Sequence, residues 1–276
     1  MSTTQHGSSG YIHSYTRDEQ DRLIRQAQFL EPYVHDSIDF AGCRHILEVG
    51  CGVGAQTKLL LQRWPYLKIT STDISEIQIA RAREFLAPEL AAGRVALHSY
   101  DGNRLPFDDG SFDGAFVCFV LEHAANPAAL LSELNRVMIK AGVIYCTEVF
   151  NTGLYIHPSC PAIHHYWEIF NRCQRELGGD PDIGIKLCNL AVQAGFADIN
   201  QRIIAPQLDS RMTDRRQREE FIHYWAELFL SAASMLLDEQ RVTIDLIKSL
   251  KLEFEQIKNN MDSIFVYLGM QIKAIK

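Results

Sequence analysis

The sequence predicts an α/β fold built on a mostly parallel sheet. Three observations carry this. Between Arg44 and Phe150, short β-rich runs alternate with helical segments of about 10–15 residues, as successive βαβ units do. The run AFVCFVL is almost unbroken in apolar residues, which suits a strand buried on both faces. After the first run, Gly50-Cys51-Gly52-Val53-Gly54 sets glycines where a strand must bend sharply into a helix.

Residues 1–10 read as a tail. A helix then opens on Thr16, with Glu19 three positions on as in a capping box. Leu23, Ile24, Ala27, Leu30 and Val34 recur near helical spacing. Pro32 and the mixed stretch 36–42 are expected to loosen it. RHILEVG, LKITSTD, RVALHSYD, SFDGAFVCFVLEH and GVIYCTEVF are the first five strands in order. Between them lie the helices QTKLLLQRW, stopped at Pro65, SEIQIARAREFL, opening on Ser75, and NPAALLSELNRVM, with Pro127 at its start. Past Phe150 the stretch NTGLYIHPSCPAIHHYWEIF is aromatic and His-rich. A helix ending at Gly195 and a strand DINQRIIAPQL follow. Residues 214–237 form a strongly amphipathic helix, 238–258 a charged one, and IFVYLGMQIKAIK the final strand. The chain divides into an N-terminal segment, 1–43, and one α/β domain, 44–276, with additions at about 151–175 and 211–260.

Composition narrows the function. Hydrophobic residues make up 47% and charged residues 22%, ordinary globular usage. No apolar run reaches the roughly 18–20 residues of a membrane span. The net charge of −7 argues against a nucleic-acid partner, which usually meets a basic surface. The seven cysteines are odd in number, scattered and without a CxxC pair, so neither a disulfide framework nor a zinc site is expected. The polar N-terminus is no secretory signal, and a cytoplasmic setting is expected.

The glycine turn is spaced GxGxG rather than GxGxxG, and no Lys-Ser/Thr pair follows it as a P-loop requires. Asp73 ends the second strand about twenty residues later, where a carboxylate can accept both hydroxyls of a ribose. Tyr100-Asp101-Gly102 ends the third, where Asp101 can accept from an adenine amino group. All three motifs fall at the C-terminal strand ends, the ligand edge of such sheets.

ILEVGCGVGAQT, Asp73, Tyr100-Asp101, LPFDDGSFDGAFVCFVLEHAANP and ELNRVM together resemble the motif series of class I S-adenosylmethionine-dependent methyltransferases, most closely the UbiE or methyltransferase-11 small-molecule type. The resemblance implies a Rossmann-like, mostly parallel seven-stranded sheet with the last strand antiparallel, plus a helical lid. It implies S-adenosyl-L-methionine as cofactor, S-adenosyl-L-homocysteine as product, and no metal. Gly50, Gly52 and Gly54 would pass under the methionine part and Glu48 would support that loop. Asp73 would hold the ribose and Asp101 the adenine, and an N-terminal tyrosine, Tyr15 or Tyr11, would close over the cofactor. Cys51, Gln56, Ile74, Tyr100, Gly102 and Phe119 complete the expected cofactor contacts. The family's usual Lys-Pro-Gly-Gly turn reads Lys140-Ala141-Gly142-Val143 here.

The acceptor side holds open alternatives. His123 is either a base or a pocket-floor residue bonded to backbone; Glu148 either faces the acceptor or caps a loop. Glu122, Tyr155, His157 and Trp167 are candidate substrate contacts, although Trp167 and Phe170 read equally well as core. A metal held by His157 with His164 or His165 matches no ligand motif. The expected activity is in-line methyl transfer to an N, O or C nucleophile of a small, ring-bearing or hydrophobic molecule, by a monomer or homodimer. The alternatives are a methyltransferase-like protein that holds cofactor without methylating, and a nicotinamide-dependent enzyme, which the GxGxG spacing disfavours.

Overall fold

The computed structural model describes residues 13–100 and 104–276; Tyr11, Asp101 and Gly102 lie outside them. The chain runs α1 (Arg17–Val34), β1 (His45–Val49), α2 (Ala55–Arg63), β2 (Lys68–Asp73), α3 (Glu76–Phe85), α4 (Ala87–Ala91), β3 (Val95–Ser99), β4 (Phe112–Cys118), α5 (Pro127–Val137) and β5 (Met138–His157). It continues through α6 (Pro161–Glu176), α7 (Leu187–Gln193), β6 (Ala197–Ile204), β7 (Gln207–Leu208), α8 (Arg215–Leu230), α9 (Ala233–Asp238), α10 (Ile244–Asn259) and β8 (Ile264–Ile275).

One sheet takes all eight strands in the order β3-β2-β1-β4-β5-β8-β6, with β7 beside β8. β1 to β5 are parallel, and β8 runs antiparallel to both β5 and β6. This is the expected mostly parallel sheet with a reversed last strand, widened by the two-residue β7. The single strand read over 198–208 splits there because Pro206, lacking an N–H, interrupts the ladder. The chain steps outward from β1 to β3, then returns to β4 on the other side of β1. That reversal opens a crevice at the strand C-termini. The register keeps those ends level: Val49 lies opposite both Thr72 and Val117, and Cys118 opposite Thr147.

The helices form where caps and apolar stripes place them. Thr16 accepts from the Glu19 N–H and opens α1, whose buried side includes Ala27, Leu30 and Val34. The helix runs through Pro32 and ends two residues later, so the proline costs it little. Ser75 and Asn126 cap α3 and α5 in the same way. The long helix expected over 214–237 is broken after Leu230 into α8 and α9. α8 buries Phe221, Ile222, Trp225 and Phe229. α10 supplies the Glu253 carboxylate that accepts the Ala162 and Ile163 N–H groups at the start of α6, at 3.0 and 2.8 Å.

β5 is much longer than GVIYCTEVF. It begins directly at the end of α5 and continues through the polar Asn-Thr-Gly stretch to His157. Antiparallel pairing with β8 supports the extension, which crosses an irregularity between Phe150 and Tyr155. Where the family usually has its Lys-Pro-Gly-Gly turn, Ala141 sits at φ 62°, with its N–H on the Lys276 carbonyl at 3.0 Å. A left-handed alanine costs roughly 1–2 kcal/mol. Ala141→Gly is therefore expected to raise stability by about 0.5–1 kcal/mol, after glycine's own entropy cost. Chemical denaturation measures this; an unchanged or lower midpoint denaturant concentration refutes it.

Candidate active site

The crevice between β1 and β4 deepens into a cavity of about 700 Å³, roofed by α1 and by the chain just before it, and walled at the far end by α6, α8 and β8. Its near wall is the glycine turn. Gly50 (φ 71°) sits so close to Val120 that a Cβ would meet the valine methyl at 2.3 Å. Gly52 (φ 53°) has the opposite surroundings: a Cβ there would meet nothing within 4 Å. Backbone at Gly52 is thus open to a ligand, whereas Gly54 packs against Leu86 and does not line the cavity.

Asp73 closes this wall. Its carboxylate accepts from the Gly52 N–H at 2.8 Å and the Ser75 N–H at 2.9 Å, tying turn and helix start to one side chain. Burial pushes its pKa upward against those two bonds. Tyr15 stands at the same end, its hydroxyl pushed up by burial and by Asp73. Cys51, Gln56, Ile74, Tyr100 and Phe119 line the cavity too. Glu48 does not. It is buried beneath the turn, where the hydroxyls of Thr57 and Ser71 donate to it, the latter at 2.8 Å. Burial raises it to about 7.

On the opposite wall, the strand read as continuous to His123 stops at Cys118. Phe119 takes φ 58°, a costly conformation for a bulky residue. A 3₁₀ turn, Leu121–His123, follows. Glu148, on β5 just past the residues paired with β4, explains why this backbone holds. Its carboxylate accepts the N–H groups of Val120 (2.9 Å), Leu121 (2.7 Å) and Glu122 (3.3 Å). It is fully buried and does not line the cavity, so the catalytic role considered for it is corrected to the loop cap. Burial and the Glu122 charge push it to about 8.

That turn aims Glu122 and His123 into the cavity, with Glu122 Oε1 3.7 Å from His123 Nε2. Gln174 Nε2 donates to the other Glu122 oxygen at 2.7 Å. Trp167 lines the cavity from α6, with its indole N–H on the Asn151 carbonyl at 2.9 Å. Tyr155 and His157 are not brought there. Both sit on the β5 extension, paired with Val266 and Ile264, beyond the sheet's ligand edge; Tyr155 is 58% exposed. Among the described residues, no three His, Cys, Asp or Glu side chains converge as a metal ligand set.

Several lining residues escaped the sequence reading. His13 hydrogen-bonds Ser231 at 2.7 Å, and burial with the nearby Arg22 charge holds it well below the usual histidine range. Arg22 is itself paired with Glu19 at 2.6 Å and bonded to Gln26. Asn151, Tyr224, Trp225 and Tyr267 complete the far end. Trp225 was visible only as part of an apolar stripe, and the other three carried no signal in sequence.

Residues 47–146 match the methyltransferase domain family. The O-methyltransferase cnsE of Penicillium expansum is 30% identical over 201 residues, which span 69% of this chain and 67% of that protein. The chain belongs to the class I S-adenosylmethionine-dependent methyltransferases. Two further relatives are matched over smaller parts of their length, 33% and 24%. Among solved structures, the methyltransferase fold here is similar to the phosphoethanolamine N-methyltransferase 2 of Haemonchus contortus, with a TM-score of 0.54, 17% identity, and cover of 93% of this chain and 52% of that one. It is also similar to the cyclase SpnF, with a TM-score of 0.53, 20% identity, and cover of 91% and 80%. Among the described residues of the methyltransferase, no helix is long and apolar enough to cross a membrane.

The raised carboxyls make a stability prediction. Glu48 and Glu148 titrate near 7 and 8 when folded, and near 4.5 when unfolded. Between those values the folded protein holds protons that the unfolded chain has released. Stability therefore falls as pH rises from about 5 to 8. Glu148→Gln should remove its share and flatten the thermal midpoint over that range; an unchanged slope contradicts the assignment.

Proposed function

We propose that the protein transfers a methyl group from S-adenosyl-L-methionine to a nucleophile on a small molecule bound at the far end of the cavity. The open backbone at Gly52 beside the Asp73 carboxylate carries this reading. An N–H turn with no side chain in the way, and a carboxylate with lone pairs left after its two bonds, suit a nucleoside with vicinal hydroxyls. The cavity volume lies within the range of cofactor sites. Bound there, the cofactor would supply an electrophilic sulfonium methyl, with its neutral thioether as the leaving group.

The chain's own part is to bind, orient and exclude water. Asp73 and Tyr100 hold the nucleoside end, with Asp101 and Gly102 proposed at the base. Gly50, Cys51, Gly52 and Gln56 receive the amino-acid end, and Phe119 and Ile74 pack against the body. Tyr15 and α1 close the roof. α1 is pinned on both sides, by Gln20 to Gln78 at 3.1 Å and Arg81 to Asp21 at 2.9 Å on α3, and by Arg25 to Glu227 at 3.1 Å on α8. His123 is the proposed base for a protonated nucleophile, with Glu122 next to it to stabilise the imidazolium. Glu148 positions both through the turn it caps.

Calorimetric titration with S-adenosyl-L-homocysteine tests the cofactor site. Wild type should bind, and Asp73→Ala should bind about 10–100-fold more weakly, the value of one or two lost charge-assisted bonds. No binding by wild type rejects the reading; full affinity in the variant rejects the Asp73 role. A screen of small acceptors with labelled methyl tests transfer. With a productive acceptor, His123→Ala should lower kcat about 100-fold or more while cofactor affinity stays within twofold. Binding without transfer across such a screen would favour a non-methylating catalyst on the same fold.

A further inference from the structure

The far end of the cavity is built from rings, and the rings are already used. Trp167 stacks on Phe170 at 4.7 Å and on Phe229 at 4.1 Å, nearly parallel to both. Tyr224 stacks on Phe29 at 3.9 Å. Trp225 has Tyr267 at 4.6 Å and Phe265 at 5.1 Å. Caging an ammonium ion requires free ring faces, whose electrostatic potential is negative. Here Trp167 is stacked on two rings and Tyr224 on one, so those faces are already engaged, and the positive edges of these stacks are what they can offer a ligand. Edges complement the face of another ring.

Into this apolar end project two polar residues that line the cavity, Tyr267 and Asn151, 7% and 3% exposed. The Tyr267 hydroxyl lies 2.5 Å from Asn151 Oδ1. That separation belongs to an O–H···O bond and is too short for N–H···O. Asn151 Nδ2 in turn donates to Asn171 Oδ1 at 2.8 Å, which fixes the amide's orientation. The Tyr267 hydrogen is therefore committed, and its oxygen has only lone pairs left. Burial and the nearby carboxylates, Glu122 first, hold the phenol well above its usual range, so it stays a hydroxyl.

We infer that the acceptor is a flat, uncharged ring compound carrying a hydroxyl or N–H that donates to the Tyr267 oxygen, with the Asn171–Asn151–Tyr267 chain setting that polarity. The inference rests on the methyltransferase reading and names its substrate class. Among the described residues, Glu122 is the one feature of this end that would welcome a cation, and one of its oxygens already accepts from Gln174.

The test is calorimetry on the full chain saturated with S-adenosyl-L-homocysteine, using three probes: a naphthol, its methyl ether, and choline. Wild type should bind the naphthol about tenfold more tightly than the ether, and choline not measurably. Tyr267→Phe should cut the naphthol preference to about twofold or less while leaving homocysteine-cofactor affinity unchanged. Three results overturn the proposal on wild type alone: equal affinity for naphthol and ether, no binding of either, or choline as the tightest probe. A preference retained in Tyr267→Phe overturns the tyrosine's role. Failure of wild type to bind S-adenosyl-L-homocysteine is a different result, and it removes the cofactor reading and this proposal together.

Discussion

A single buried carboxylate organises the acceptor side of this protein. Glu148 ends the part of β5 that runs level with β4, and it gathers three successive N–H groups from the adjoining chain. Without that acceptor, the backbone after Cys118 would have buried donors to satisfy and a phenylalanine in the left-handed region to support. With it, the chain turns tightly, and Glu122 and His123 emerge side by side over the crevice. The glycine turn on the other wall has its own buried carboxylate, Glu48, fastened to Thr57 and Ser71. The two walls thus follow one plan: a carboxyl group under the sheet edge holds a loop whose upper side faces the ligand.

The plan has an energetic consequence. Both carboxyls are displaced far from their ordinary range by burial, so each weakens the fold as it ionises. A protein that keeps such groups holds them for geometry. Replacing Glu148 by an apolar residue would relieve the desolvation and lose the turn. This is the usual conflict between stability and a preorganised site.

Most residues expected around the cofactor line the cavity, and they were legible in sequence because their signals are local. A strand, a glycine turn and a helix lie within about twenty residues, and Asp73 follows at fixed spacing on the next strand. Level strand ends then bring these together without further instruction. The acceptor half was mostly not legible, because its wall is assembled from segments far apart: His13 before α1, Asn151 on β5, Tyr224 and Trp225 on α8, Tyr267 on β8. Each sits in an ordinary amphipathic pattern. Tyr155 and His157 show the converse error. They follow a parallel strand, where substrate loops commonly sit, but antiparallel pairing with β8 turns the expected loop into more strand and carries them past the crevice. Nothing in Asn-Thr-Gly announces that pairing, since the partner lies more than a hundred residues away.

The charges lining the cavity fit the division between the two halves. Among the described lining residues, Arg22 is already paired through the bidentate grip of Glu19, while Asp73 and Glu122 are the acidic side chains of the lining. An acidic side chain at the Asp73 end favours a cationic ligand there. The ring-lined end offers one hydroxyl oxygen among packed rings, which under the inference above favours an uncharged partner. A methyl leaving a sulfonium takes the positive charge with it from the cofactor side. Under the proposed function, Asp73 and Glu122 would attract the charged cofactor more than its neutral product.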